Sequence, residues 1–185
     1  MARIPLITTR DQVLPEHREL FDAVVGRRGS VVGPYRVLLH HPHLARLAAD
    51  LGGYLRFDGQ LDRQTAELTI ITAAREWDCY YVWGDHEPLA RQAGVPAATV
   101  KAVGEGIAPV GLGPEEADIV TYVQQLVRQH GSEEALYRRL EARLGTAGLV
   151  ELTMMLGYYS MLAAVLNGYE VSEDPGKPRM PARAG

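Results

Sequence analysis

The stretch from Ala66 to Ala90 carries a carboxylate, a thiol and an imidazole at spacings that suit chemistry between two neighbouring helices. Glu67 lies in an apolar run, Cys79 follows it by twelve residues, and His86 follows Cys79 by seven. A carboxylate beside an imidazole can transfer protons, and a cysteine in the first turn of a helix meets amide N–H groups that favour its thiolate. The three side chains therefore fit acid–base chemistry, thiol chemistry, or a purely structural role in the core.

Two consecutive helices must position these side chains. The first is predicted to begin with Asp62 as its N-cap, and the second to run from an Asp78 cap to Gly94. In an antiparallel pair, Glu67 and His86 each lie about 13–16 Å from the turn, so they reach the same height. One face of the second helix carries the residues spaced i, i+3, i+4 and i+7, namely Cys79, Val82, Trp83 and His86.

The rest of the chain also shows helical periodicity, which predicts one all-α domain over residues 1–172. Helical patterns cover 15–26, 41–57, 95–106, 113–131, 132–145 and 148–168. The last of these is too apolar on every side for a surface helix, so we expect it in the core or at a subunit contact. Residues 173–185 are rich in proline and glycine and predict a flexible tail, unless a neighbouring subunit holds it.

The charge, the apolar runs and the cysteine count of the chain limit its expected partners and compartment. The 185 residues have a net charge of −4, which argues against a nucleic-acid or anionic-membrane partner. No apolar run approaches the roughly 18 residues that span a bilayer, and the first residues lack the apolar core of a signal peptide. A single cysteine permits no disulfide within the chain, as is typical of a reducing compartment. We therefore expect a cytoplasmic protein that acts on a small molecule.

Each candidate residue also has a structural interpretation. A glutamate in an apolar helix often lies at the rim, a histidine after Gly-Asp often lies on the surface, and a lone cysteine is often a small buried hydrophobe. The aromatic side chains around Cys79 also suit a core or a subunit contact. The "HHPH" run at 40–43 suggests a metal site, but Pro42 interrupts it and no carboxylate lies nearby, so we expect no metal there.

The same residues resemble the signature of a known superfamily. Glu67, Cys79 and His86, with Val82 between the last two, resemble in order and spacing the motif of carboxymuconolactone decarboxylases and AhpD-like alkylhydroperoxidases. The segment "HEPLARQAGVP", the final apolar helix and the segment "PYRVLLHHPHLARLAADLGGYLRF" also resemble the family. The resemblance implies an AhpD-like helical bundle that assembles as a trimer or hexamer, with its active site at the Glu67–His86 hairpin.

One departure from the motif affects the thiol chemistry that Cys79 could perform. The peroxidase branch has a Cys-x-x-Cys pair, whereas this chain has Val82 at the second cysteine and Tyr81 at a further histidine of that branch. A thiol peroxidase of this kind needs a second cysteine to resolve the sulfenate formed on the first. The chain is therefore more similar to the decarboxylase branch, which works without a metal or organic cofactor.

The resemblance leaves three functions open. The first is a cofactor-free decarboxylation, or a related proton transfer, on a small cyclic carboxylate. There His86 moves the proton, Glu67 orients it, Tyr81, Val82 and Trp83 line the pocket, and Arg36 or Arg75 pairs with the substrate carboxylate. The second is a peroxidase that uses Cys79 alone, and the third is a non-catalytic oligomer that binds a ligand.

Overall fold

The chain folds into α-helices joined by short loops in a computed structural model, which describes residues 2–107 and 112–184. Within those two ranges there is no β-strand, so the all-α prediction is confirmed. Met1 and Gly185, the outer limits of the predicted domain and tail, lie outside the described residues. The helices are α1 (Arg18–Val25), α2 (Tyr35–Leu38), α3 (Pro42–Gly53), α4 (Arg63–Glu76), α5 (Tyr80–Gln92), α6 (Ala97–Glu105), α7 (Pro114–Gln129) and α8 (Glu134–Gly168). Single turns of 3₁₀ helix occupy Arg10–Gln12, Pro15–His17 and Gly26–Arg28, and a π-helical turn, Tyr54–Asp58, extends α3.

The Cα positions form two compact units, and the predicted single domain corresponds to neither alone. The first unit contains Met1–Gly59 and Leu162–Ser172, and the second contains Gln60–Met161 and Glu173–Gly185. In the first unit α1 packs against α3. Its core consists of aliphatic and aromatic side chains removed from water, which is the main stabilising term for such a unit. They are Ile7, Val13, Phe21, Val24, Val31, Tyr35, Leu39, Ala45 and Ala49.

Helix α4 is the central helix of the second unit, where it packs against α5, α6 and α7. Every residue from Thr65 to Arg75 is buried, although the sequence predicts only one apolar stripe. The threonines on the other faces tolerate burial because their hydroxyls find acceptors within the helix. Thr69 donates to the carbonyl of Thr65 at 2.8 Å, and Thr72 donates to that of Leu68 at 2.7 Å.

Asp62 caps the N-terminus of α4, as its position before the helix predicts. Its carboxylate accepts the backbone N–H of Thr65 at 2.9 Å and the hydroxyl of the same residue at 2.7 Å. We expect Asp62→Ala to lower the free energy of unfolding by about 1 kcal/mol, because an amide of the first turn loses its acceptor. Urea denaturation measures this loss. The control is Asp50→Ala, which removes only an exposed ion pair with Arg46, and an equal effect of the two changes would contradict the cap.

The predicted cap of α5 is wrong. Asp78 has a positive φ of 46° and lies in the turn, while Cys79 takes the N-cap position of α5. The Asp78 carboxylate instead accepts hydrogen bonds from the guanidinium groups of Arg75 and Arg183. Because these arginines occupy the carboxylate, it does not bond to the first amides of α5.

Helix α8 merges the two helices predicted over 132–145 and 148–168. The backbone leaves helical geometry only at Gly145, which has φ 69° and ψ 164°. The merged helix contains an 18-residue window apolar enough to span a membrane, contrary to the expectation from the sequence, but 56% of that window is buried in the protein. A mostly buried core helix can have the same length and hydropathy, so this window is weak evidence for a membrane-spanning helix. Val150, Met154 and Met161 remain exposed along it.

The segment after residue 172 packs on the second unit, although the sequence predicts a flexible tail. Asp174 accepts the hydroxyl of Tyr81 at 3.0 Å, and Lys177 forms a 2.9 Å ion pair with Asp85. Met180 is buried, and the amide of Ala184 donates to the carbonyl of Glu105 at 2.8 Å. Proline and glycine prevent helical periodicity here, but they do not prevent these contacts. The expectation of a loose segment therefore does not describe residues 174–184 in this structure.

Candidate functional site

Helices α4 and α5 bring Glu67 and His86 into direct contact. The two helices are joined by three residues and run back along each other, so the early part of α4 faces the middle of α5. Nδ1 of His86 lies 2.7 Å from Oε2 of Glu67, and both side chains are buried, with exposed fractions of 6% and 0% for the two residues. The contact predicted from the spacing of these residues is therefore present.

The hydrogen bond orients the imidazole. When Glu67 is ionised, its carboxylate accepts the hydrogen of Nδ1 of His86, and Nε2 is then the nitrogen that can exchange a proton. The ring of Tyr159 lies edge-on to the imidazole, with centroids 5.0 Å apart and planes at 83°. Tyr158 packs edge-on against Tyr159 in turn. Together these contacts hold the ring in one orientation, which a proton-transfer residue requires.

Arg63 completes the surroundings of Glu67. A terminal nitrogen of its guanidinium lies 2.8 Å from Oε1 of Glu67, an ion pair whose angles fall outside hydrogen-bond geometry. The two oxygens of one buried carboxylate thus face a guanidinium and an imidazole. Neither Arg63 nor Tyr159 was among the site residues predicted from the sequence. The i, i+4 spacing of Arg63 and Glu67 could have predicted their ion pair. The contact of Tyr159 with His86 could not be predicted, because the two residues are distant in sequence.

The surroundings of Cys79 differ from those of the reactive thiol that the sequence suggests. Its side chain is fully buried, and burial raises its pKa to about 11 even though the amides of Val82 and Tyr81 lower it. It lies seven residues before His86, about 10 Å along the helix at 1.5 Å per residue. The expectation of a thiolate favoured by the helix terminus is wrong, because desolvation outweighs the amide hydrogen bonds.

The pKa of Cys79 predicts a loss of stability at high pH. The folded state favours the neutral thiol, so this stabilisation is complete below pH 9, the ordinary thiol value, and disappears as the pH rises through about 11. Unfolding free energies measured between pH 8 and 11 should fall by up to about 2 kcal/mol more in the wild type than in Cys79→Ala. Parallel curves for the two proteins would contradict the assignment.

The side chains predicted to line a pocket are buried around α5. Tyr81 donates to Asp174, Val82 is 4% exposed, and Trp83 is 2% exposed. A Cβ at Gly104 would lie only 2.8 Å from the Trp83 ring, so a glycine is needed where α6 approaches the indole. The indole nitrogen of Trp83 is buried without an acceptor among the described residues. It is a donor available to a small ligand or a water molecule.

Both arginines predicted to bind a carboxylate donate hydrogen bonds to backbone carbonyls. Arg36 belongs to the first unit, where its Nε donates to the carbonyl of Val31 at 3.3 Å. Arg75 is buried and donates to the carbonyls of Gly104 and Pro181, each at 2.8 Å. The assignments of Arg36 and Arg75 to a substrate carboxylate therefore stay predictions.

Three hollows are lined by described residues other than Glu67 and His86. The most apolar lies beside α8 in the second unit, holds about 200 Å³, and is lined by Tyr122, Tyr137, Thr146, Leu149, Val150, Thr153 and Met154. Glu67, Cys79 and His86 line none of the three.

The histidines of the "HHPH" run have structural roles. Nδ1 of His41 accepts the amide of Leu44 at the start of α3, and Nε2 of His40 lies 2.8 Å from the carbonyl oxygen of Pro5. The ring of His43 lies edge-on to that of His17. Across residues 2–107 and 112–184, no three His, Cys, Asp or Glu side chains are grouped to hold a metal ion.

Comparison with known proteins agrees with this fold and motif. Residues 42–125, which include Glu67, Cys79 and His86, match the carboxymuconolactone decarboxylase family. Three solved structures share the fold. An alkylhydroperoxidase AhpD core protein described as peroxidase-related, from Ralstonia eutropha JMP134, has a TM-score of 0.75 at 15% identity, over 94% of this chain and 93% of its own.

The other two are similarly distant in sequence. A peroxidase-related protein from Silicibacter sp. TM1040 has a TM-score of 0.74 at 13% identity, covering 94% of this chain and 92% of its own. A cysteine-to-alanine variant of the debrominase Bmp8, in complex with 2,3,4-tribromopyrrole, has a TM-score of 0.73 at 11% identity, covering 95% and 94%. No curated protein matches the sequence.

The chain thus has the helical fold of AhpD-like proteins. Residues 42–125 of this chain are similar to the carboxymuconolactone decarboxylase family.

Proposed function

We propose that this protein is a cofactor-free enzyme of the carboxymuconolactone decarboxylase type, which transfers a proton to or from carbon on a small cyclic carboxylate. The observation that carries the proposal is the buried 2.7 Å hydrogen bond between Glu67 and His86. Such a pair supplies a proton donor and acceptor with a defined orientation, which is what this chemistry needs.

The reaction balances without an added oxidant or reductant. The bond between a ring carbon and the carboxylate carbon breaks, CO₂ leaves, and the electron pair passes into a ring conjugated with the lactone carbonyl. His86, protonated on both nitrogens, then donates the Nε2 hydrogen to carbon, and Glu67 stabilises the imidazolium through Nδ1 before transfer. Trp83 and Tyr81 exclude water from the region, and Cys79 takes no chemical part.

A substrate screen on the wild type and on His86→Ala, Glu67→Ala and Cys79→Ala tests the proposal. The substrates are carboxymuconolactone, simpler lactone carboxylates, an alkyl hydroperoxide with an external thiol, and 2,3,4-tribromopyrrole. We expect decarboxylation or deuterium uptake at carbon in D₂O, lost in the first two variants and retained in the third. Hydroperoxide reduction that depends on Cys79 would favour a peroxidase. Turnover of no substrate would favour a ligand-binding protein.

The burial and raised pKa of Cys79 count against the peroxidase alternative, because peroxide reacts with an accessible thiolate. The AhpD-like fold does not decide between the activities, since structures with this fold include a debrominase as well as peroxidase-related proteins. The Glu67–His86 contact requires no thiol.

We also propose that the protein forms the trimer or hexamer expected from the family resemblance. Val150, Met154 and Met161 are 58%, 47% and 42% exposed along α8, and such a row of apolar side chains is more stable when covered. Light scattering coupled to size-exclusion chromatography measures the mass, and a monomer at micromolar concentration would contradict this proposal.

A further inference from the structure

The hollow beside α8 is large enough for a molecule with one aromatic ring. Its volume of about 200 Å³ exceeds the roughly 150 Å³ of an engineered apolar cavity that binds benzene. Val150 and Met154, two of its lining residues, are 58% and 47% exposed, so a ligand can reach the hollow from solvent. The lining also contains the rings of Tyr122 and Tyr137, and both tyrosine rings and the methionine thioether make favourable contacts with aromatic rings.

The hydroxyl groups of Tyr122 and Thr153, which both line this hollow, form a chain of hydrogen bonds with a fixed direction. Thr153 donates its proton to the carbonyl of Leu149 at 2.8 Å. Its oxygen lies 2.9 Å from that of Tyr122, and Tyr122 must be the donor in this contact because the proton of Thr153 is already used. The phenol oxygen of Tyr122 therefore keeps lone pairs but has no proton left for a ligand.

The other two hydroxyl groups of the lining donate to one carboxylate. Tyr137 donates to Oε1 of Glu141 at 3.0 Å, and Thr146 donates to the same oxygen at 3.4 Å. A hydroxyl has one proton and two lone pairs, so these groups also retain only the capacity to accept. The polar side chains of the lining therefore offer acceptors, and the donor of a hydrogen bond has to come from the ligand.

We propose that this hollow is a binding site for a small, neutral aromatic molecule that carries an O–H or N–H donor. The apolar lining takes up the ring, and the donor bonds to a lone pair of Tyr122 or Tyr137. Among the described residues of the lining none is charged, so an aromatic carboxylate has no cation there to offset its desolvation. The site thus differs in ligand chemistry from the proposed catalytic site and does not depend on it.

Three fluorinated probes test the chemistry of the site. They are 4-fluorophenol, 4-fluoroanisole, which lacks the donor, and 4-fluorobenzoate, each titrated at pH 7 and followed by ¹⁹F NMR. In the wild type we expect 4-fluorophenol to bind with a millimolar dissociation constant, about fivefold more tightly than 4-fluoroanisole, since one net hydrogen bond is lost in the ether. 4-Fluorobenzoate should not bind in this hollow.

The methionine methyl groups show where a probe binds. 4-Fluorophenol should shift the ¹³C-methyl signal of Met154 and leave that of Met161, which is 42% exposed on the same helix but is not part of the lining. Met154→Leu and Met161→Leu assign the two signals. His86→Ala should retain the affinity for 4-fluorophenol, because His86 does not line this hollow.

Removal of the two phenol oxygens separates recognition of the donor from burial of the ring. The double variant Tyr122→Phe, Tyr137→Phe keeps both rings, so the two neutral probes should still bind, but the fivefold preference should fall to about one. Tyr80→Phe is the matched control. It removes a hydroxyl from a tyrosine that is 51% exposed and lines none of the three hollows, so the preference should persist.

Three results would overturn the proposal: a Met154 signal that does not respond to millimolar 4-fluorophenol, equal affinities for the phenol and the ether, or a preference that survives the double variant. The first result is expected if a second copy of the chain fills the hollow, because Val150 and Met154 belong to the exposed row of the proposed subunit contact. The first two results need no variant, so they can reject the site even if the double variant does not fold.

Discussion

His86→Ala is expected to lower kcat on a substrate found in the screen by about 10²- to 10⁴-fold, the range that a positioned general acid or base contributes. The alanine removes both the transferable proton and the partner of Oε2 of Glu67. KM should change less, because the imidazole acts in the transition state more than in substrate binding. Steady-state kinetics, with circular dichroism to confirm folding, measures the effect.

Two variants control this result. Cys79→Ala should keep kcat within about threefold, because the buried thiol takes no part in the step. Glu67→Gln retains the shape of the side chain but removes its charge, so it should lower kcat by an intermediate factor. If Cys79→Ala lost more activity than His86→Ala, thiol chemistry would replace the proton-transfer proposal.

The largest expected effect on stability is that of Arg75→Met. Arg75 is 3% exposed and connects three parts of the second unit through the carbonyls of Gly104 and Pro181 and the carboxylate of Asp78. Methionine keeps much of the apolar volume but removes the donor to the carbonyls of Gly104 and Pro181. We expect the free energy of unfolding to fall by about 3 kcal/mol, which lowers Tm by about 10 °C in a chain of this size.

Chemical denaturation and thermal melting measure this loss. Arg46→Met provides the comparison, since it removes an arginine from an exposed ion pair and should change stability far less. Limited proteolysis adds a second measurement, because release of Pro181 should make residues 174–184 more susceptible to cleavage in Arg75→Met. Equal stability of the two variants would show that the contacts of Arg75 contribute little.

Residues close together in the chain were the most predictable part of this protein. Hydrophobic periodicity predicted the helices, Asp62 was recognised as a cap, and the spacing around one short turn brought Glu67 level with His86. These features depend on the 3.6-residue period and on hydrogen bonds within a few residues, which act wherever the sequence occurs. The helical fold and the central contact of the candidate site therefore followed from the sequence.

Contacts between distant residues were not predictable in this way. The Glu-Leu-Thr sequence occurs at 67–69 and again at 151–153, and in both copies the threonine hydroxyl bonds to the carbonyl four residues earlier. Yet Glu67 meets His86, whereas Glu151 accepts the amides of Gln60 and Leu61 at 3.0 and 3.2 Å. The glutamates of the two copies thus have different hydrogen-bond partners, because different segments pack against them.

The sequence by itself determined the helices, the Asp62 cap of α4 and the pairing of an acid with an imidazole, because these depend on local geometry. Only the tertiary structure decided the protonation of Cys79, the roles of Asp78 and Arg75, the packing of residues 174–184, and the presence of Arg63 and Tyr159 around the pair. Burial and long-range hydrogen bonds set these properties, and both depend on which distant segments pack together.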